Sequence, residues 1–71
     1  MDIKLSTENR FGVVAVKGGY ITPEQLCESL ATQVKEELKG TQRRLIGRIL
    51  YEKRYITMPQ IADVLVSMSK L

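Results

Sequence analysis

The stretch YITPEQL at residues 20–26 returns 35 residues later as YITMPQI at residues 55–61. Each copy carries the signals that begin a helix. Thr22 and Thr57 can accept a hydrogen bond from a first-turn amide, and the glutamine three residues later can bond back to the cap residue. A proline follows within the first turn, where it removes no helical hydrogen bond. The doubled stretch therefore predicts two equivalent helix starts.

The repeat extends well beyond these seven residues. Residues 11–33 align with residues 46–68, and six aligned pairs are identical: Gly12/Gly47, Tyr20/Tyr55, Ile21/Ile56, Thr22/Thr57, Gln25/Gln60 and Leu30/Leu65. A repeated unit that cannot bury its apolar face alone is expected to pack on its copy. We therefore predict an all-α fold of four short helices, arranged as two tandem helical hairpins with pseudo-two-fold packing.

Apolar periodicity sets the expected bounds of the elements. Residues 1–7 are predicted to form a flexible N-terminal arm, and residues 8–71 a single domain. The four helices are expected at residues 8–17, 23–38, 42–53 and 58–68, the third capped by Thr41. The valine-rich first segment is also compatible with a strand. The predicted core positions are Phe11, Val14, Ala15, Leu26, Leu30, Val34, Leu38, Leu45, Ile46, Ile49, Leu50, Ile61, Val64, Leu65 and Met68, with Cys27 half-buried.

Composition argues against catalysis. The chain has 71 residues, a net charge of +3, one cysteine and no histidine. An internal disulfide, a conventional zinc site and a Ser-His-Asp set are therefore excluded. No apolar run is long enough to span a bilayer, and no signal peptide precedes the domain. We expect a cytoplasmic protein that is not an enzyme and needs no metal.

Two features are candidates for binding. Residues 35–54 carry seven Lys or Arg against three Glu, and Arg43, Arg44 and Arg48 form a candidate face for an anion or a partner. A solvated helix face is the plainer interpretation of such a run. Gly12 and Gly47 lie inside helices, where glycine is costly. They indicate either a close helix crossing or the approach of a phosphate to bare backbone.

The repeated pattern resembles the N-terminal domain of bacterial type II secretion and type IV pilus assembly ATPases. The resemblance covers nearly the whole chain after residue 9. It is carried in the first copy by Arg10, Phe11, Gly12, Ala15, residues 19–26, Leu30 and Gln33. In the second copy it is carried by Ile46, Gly47, Leu50, residues 55–57, Ile61 and Leu65.

Two functions are implied by this resemblance. Some members dock on the cytoplasmic part of an inner-membrane platform protein, so contact with the membrane is only indirect. Others bind cyclic di-GMP, and the candidate nucleotide-binding residues that match are Arg10, Gly12, Leu26, Leu30, Gln33 and Gly47. Arg44, one residue off register, is the candidate substitute for the arginine of the second copy. Leu45 and Met68 depart from that pattern, standing where arginine and glutamine are expected. Because the sequence stops after the second copy, we expect a free-standing interaction or regulatory module.

DNA binding is a weaker alternative. The segment from Ile56 to Leu65 resembles the first helix of a helix-turn-helix, but that motif needs a recognition helix after it. No residues remain for one, and the basic charge lies on the preceding helix. The sequence therefore predicts a non-enzymatic module that docks on a protein partner, with cyclic di-GMP as the main alternative ligand.

Overall fold

The structure, a computed structural model, describes residues 7–40 and 44–70, with side chains from residue 10 onward. Four helices form in this part of the chain: α1 (Thr7–Lys17), α2 (Pro23–Leu38), α3 (Ile46–Glu52) and α4 (Met58–Ser69). No strand occurs in these two ranges, so the all-α prediction is confirmed and the strand alternative for residues 8–17 is wrong. The predicted Thr41 cap and most of the predicted N-terminal arm lie outside the described residues.

The two hairpins turn in the same way. The Tyr20 N–H donates to the Ala15 carbonyl at 3.0 Å, and the Tyr55 N–H donates to the Leu50 carbonyl at 2.9 Å. Both turns are Schellman motifs, in which the residue after the cap takes a left-handed conformation. That residue is Gly19 in the first turn, with φ 80°, and Arg54 in the second, with φ 64°.

The predicted helix starts are confirmed in atomic detail. Gln25 N–H donates to Thr22 Oγ1 at 3.1 Å, while Thr22 N–H donates to Gln25 Oε1 at 3.0 Å. Thr57 and Gln60 form the same capping box, with distances of 3.3 and 3.0 Å. Two first-turn donors are thereby satisfied at each start, which stabilises each helix by about 1 kcal/mol.

Most of the core comes from α1, α3 and the two turns. Contacts run between the hairpins, from α2 to α3, from α1 to α4 and from α1 to α3. Exchange of the hairpins turns the first contact into the second and leaves the third unchanged, as a pseudo-two-fold arrangement requires. The buried apolar side chains are Phe11, Ala15, Ile21, Ile46, Ile49, Leu50, Ile56 and Val64. None of the four helices is both long enough and apolar enough to cross a bilayer.

Helix α3 begins at Ile46, four residues later than predicted. Leu45 is extended, with φ −68° and ψ 149°, and its side chain cannot cap the helix. In a helix from residue 42, the Arg44 carbonyl would accept from Arg48 N–H. Instead it accepts from Gln33 Nε2 at 2.9 Å, and Arg48 N–H donates to the Leu45 carbonyl. A hydrogen bond between the hairpins therefore replaces the first turn of the predicted helix.

Four predicted core residues are exposed instead. On α2, Val34 and Leu38 are 55% and 82% exposed. Successive steps of four residues rotate the side chain by about 40° around a helix of 3.6 residues per turn, so the predicted stripe drifts away from the core. The buried face follows Ser29 and Gln33. Leu45 and Leu65 also lie at the surface, and Cys27 is exposed rather than half-buried.

Candidate docking groove and its charged surroundings

An apolar groove opens between α3 and α4, which make little direct contact with each other. Its volume is about 630 Å³. The lining residues are Phe11, Leu45, Ile46, Gly47, Arg48, Tyr51, Glu52, Met58, Ile61, Leu65 and Met68. Four large apolar side chains of this set are exposed: Leu45, Tyr51, Met58 and Leu65. Two of them, Leu45 and Leu65, were predicted to lie in the core, so the groove consists partly of side chains that folding leaves uncovered.

The floor of the groove is closed by the other hairpin. A Cβ at Gly47 would lie 3.3 Å from Cζ of Phe11, a buried residue of α1. At the equivalent Gly12, the nearest atom to a Cβ would be Leu26 Cδ1 at 2.6 Å. A Cβ at either glycine would thus press on a neighbouring side chain, so both positions lie in closely packed surroundings. The partner of Gly12 belongs to the same hairpin, whereas the partner of Gly47 belongs to the other one.

Ion pairs occupy one side of the groove. Arg44 binds Glu36 of α2 and Glu52 of α3 through its guanidinium, and Arg48 Nε donates to Glu52 Oε2 at 2.9 Å. Arg48 lowers the pKa of Glu52, with a further contribution from Arg44. The hydrogen bond from Arg44 likewise lowers the pKa of Glu36. Arg44 is therefore held between two carboxylates, while the side chain of Arg48 stays 65% exposed.

A second network joins the hairpins on another side. The Tyr55 hydroxyl donates to Glu28 at 2.8 Å, and Lys53 Nζ lies 3.2 Å from the same carboxylate. The hydrogen bond from Tyr55, followed by that from Lys53, lowers the pKa of Glu28. The same bond raises the pKa of Tyr55. Together these three residues connect the second turn to α2, a contact that the sequence did not predict.

The candidate nucleotide-binding residues lie in different environments. Arg10 is exposed, Gly12 is buried beneath Leu26, and Leu30 is half-buried. Gln33 is 8% exposed, and its amide donates to the Arg44 backbone carbonyl. Gln33 and Arg44 are thus brought together, but by a contact that fixes the chain path. Gly47 lines the apolar groove, and so does Glu52, an ion-pair partner of Arg44. Their binding of cyclic di-GMP stays a prediction.

The candidate anion face is divided in the same way. Arg48 lines the groove and keeps an exposed guanidinium, whereas Arg44 is engaged by Glu36 and Glu52. Arg43 lies outside the described residues. Sequence reasoning missed Tyr51 and Met58, which line the groove, and included Arg54 only as one member of the basic run. A signal for Arg54 was present, because aligned positions 19 and 54 hold glycine and arginine at the same turn.

Comparison of the chain with protein-family models, with curated protein sequences and with solved structures found no match.

Proposed function

We propose that this chain is a non-enzymatic interaction module that docks on a protein partner through the groove between α3 and α4. The groove itself carries the proposal. Its lining is predominantly apolar, and Leu45, Met58 and Leu65 are each more than half exposed within it, at 64%, 59% and 53%. A contiguous apolar surface of this kind on a small protein marks a site of association.

The shape of the groove favours a helix as the bound element. Two helices form its walls, and an amphipathic helix laid between them can insert apolar side chains at positions i, i+3, i+4 and i+7. Burial of one large apolar side chain contributes about 1.5–3 kcal/mol. Several anchors, together with the apolar groove side chains that they cover, are therefore needed to outweigh the cost of association.

The resemblance noted above suggests which protein to test first. We propose the cytoplasmic domain of an inner-membrane platform protein of a type II secretion or type IV pilus system as the partner. In this proposal the chain regulates assembly by binding that domain. The resemblance supplies the candidate, and the groove supplies the surface.

The test is a calorimetric titration of the chain with that purified domain, using a matched pair of variants. Leu65→Asp places a charge inside the groove, while Val66→Asp places one on the neighbouring residue outside it. The two side chains are 53% and 54% exposed, so the variants cost the fold similar amounts. We expect Leu65→Asp to weaken binding at least tenfold and Val66→Asp to leave it unchanged.

Two results would contradict the proposal. The first is no binding of the wild-type chain at high micromolar concentration of the domain. The second is binding that Leu65→Asp and Val66→Asp weaken equally, which would place the contact elsewhere. Circular dichroism at 222 nm checks that both variants keep the helical content of the wild type.

A further inference from the structure

The backbone of Arg54 adopts a conformation that is unfavourable for arginine. Its φ of 64° lies in the left-handed region, which only glycine enters without a steric cost from Cβ. Among the described residues it is the one residue other than glycine with a positive φ. The equivalent residue of the first hairpin is Gly19, at φ 80°, in a turn with the same hydrogen bonds. The second hairpin thus places an arginine where the fold prefers glycine.

Within the described part of the chain, no contact of the Arg54 side chain offsets this steric cost. Neighbouring cations there are paired, Lys53 with Glu28 and Arg48 with Glu52. Arg54 is exposed and forms no ion pair or side-chain hydrogen bond with any described residue. An exposed arginine in an unfavourable backbone conformation, with no partner among the described residues, is a candidate for an intermolecular contact.

Arg54 also lies at the end of the groove. It lines an adjoining depression of about 580 Å³ together with Tyr51, Glu52, Ile56, Thr57 and Met58. Tyr51, Glu52 and Met58 line the groove as well, so the two concave surfaces are continuous. An element bound in the groove and extended past Met58 would bring its next turn beside the Arg54 guanidinium.

We infer that the groove takes an acidic amphipathic helix of a partner protein, whose carboxylates pair with Arg54 at the end of the groove. This inference rests on the proposed function and adds the chemistry of the partner. Charge complementarity carries it, because Glu52, which lines both concave surfaces, is already bound by Arg44 and Arg48. The exposed guanidinium of Arg54 is left to favour carboxylates and to repel a basic face. A second copy of the chain is disfavoured as occupant because each copy carries a net charge of +3.

The experiment uses two fluorescein-labelled helical peptides of equal length, with the same leucines at positions i, i+3, i+4 and i+7. One carries glutamates and the other lysines on its polar face. We expect fluorescence anisotropy to show tighter binding of the glutamate peptide. Arg54→Gln, which removes the charge and keeps a side chain, is expected to weaken that binding about fivefold. It leaves the affinity of the lysine peptide unchanged or higher.

Two further variants complete the design. Lys35→Gln removes a charge on α2 that borders neither the groove nor the depression, and it is expected to leave both affinities unchanged. Arg54→Gly removes both the charge and the steric cost of the left-handed conformation. We expect it to weaken binding as Arg54→Gln does and to raise the denaturation midpoint. A midpoint that does not rise would remove the premise that arginine is costly at this position.

The remaining outcomes separate the inference from the proposed function. Equal binding of both peptides, unaffected by Arg54→Gln but abolished by Leu65→Asp, would overturn the acidic partner and keep the docking groove. Failure of both peptides to bind would overturn the inference, whereas the docking groove itself is decided by the titration with the platform domain. A dimer in sedimentation equilibrium that Leu65→Asp dissociates would identify a second copy as the occupant and overturn the inference.

Discussion

The two hairpins share one backbone plan and differ in how their second helices are covered. Both turns have the same hydrogen bonds, and both second helices begin with the same capping box. On α2, Leu30 is half-buried, and Gln33 reaches across to the Arg44 carbonyl. Their equivalents on α4, Leu65 and Met68, line an open groove. The two copies thus share a backbone frame, while the surface of the second copy carries the apolar groove.

The largest expected effect concerns aligned positions 29 and 64, both of which are fully buried. Val64 has apolar contacts in the core, whereas the Ser29 hydroxyl has no hydrogen-bond partner within the described residues. We expect Val64→Ser to lower the free energy of unfolding by about 2–4 kcal/mol, because it removes buried methyl groups and adds a second unsatisfied hydroxyl. Urea denaturation followed by circular dichroism measures the loss.

The control is a change at the equivalent position of the other hairpin, Ser29. Ser29→Ala removes the unsatisfied hydroxyl and improves helix propensity, so we expect it to raise the free energy of unfolding by about 1 kcal/mol. A loss of stability in Ser29→Ala would mean that the hydroxyl has a partner after all, and the proposed asymmetry between the two buried positions would be wrong.

The next effect compares the two helical glycines. A Cβ at Gly12 would lie 2.6 Å from Leu26 Cδ1 and 3.1 Å from Cδ2, so the whole end of that leucine must move. We expect Gly12→Ala to destabilise the fold by about 1–2 kcal/mol, because overpacking exceeds the gain in helix propensity. A Cβ at Gly47 would meet Phe11 at 3.3 Å and needs a shift of only a few tenths of an ångström. For Gly47→Ala we therefore expect the strain of this contact and the gain in helix propensity to cancel within about 0.5 kcal/mol.

Thermal denaturation of both alanine variants makes the comparison. Equal losses would show that Phe11 is as firmly held as Leu26, and that the floor of the groove is as tightly packed as the first hairpin. A Gly12→Ala variant as stable as the wild type would show instead that Leu26 can move aside at little cost.

Much of the fold could be predicted from the sequence because its signals are local. Caps, turn glycines and periodicity act within a few residues, so the all-α class and the two equivalent starts at Thr22 and Thr57 were accessible. The delayed start of α3 was not, since it depends on Gln33 and Arg44, which are eleven residues apart. The groove was not predicted either. Leu45 and Leu65 carry the same apolar pattern as core residues, and only tertiary packing decides which of them stays uncovered.

A smaller effect is expected from the network of Tyr55, Glu28 and Lys53, which the first turn lacks. Tyr20 is the counterpart of Tyr55, but its hydroxyl has no hydrogen bond to a described residue. Folding lowers the pKa of Glu28 below its ordinary value of 4.5. The resulting stability is therefore present above pH 4.5 and is lost as the pH falls through the folded-state pKa. Because the groups are exposed, the gain is small.

The variant Tyr55→Phe tests this network. We expect it to be slightly less stable than the wild type at neutral pH and equally stable once Glu28 is protonated in strong acid. Tyr20→Phe is expected to match the wild type throughout. The side-chain carboxyl resonance of Glu28, followed by NMR, is expected to titrate at higher pH in Tyr55→Phe. An unchanged Glu28 pKa would show that the hydrogen bond is not populated in solution.

The smallest effect is expected on addition of cyclic di-GMP. Its binding would place a ligand site on the first hairpin, whereas the groove lies on the second. In the first hairpin Leu26 covers Gly12, and the Gln33 amide is engaged with the Arg44 carbonyl, so a nucleotide would have to displace both contacts. Arg44 would also have to leave Glu36 and Glu52.

We therefore expect calorimetric titration with cyclic di-GMP to show no saturable binding. Saturable binding that Arg10→Ala and Gln33→Ala both weaken would make the first hairpin a ligand site. Binding that both variants leave intact would place the nucleotide elsewhere on the molecule. Binding at the first hairpin would also act on the apolar groove, because Gln33 contacts the Arg44 carbonyl just before α3, which forms one wall of that groove.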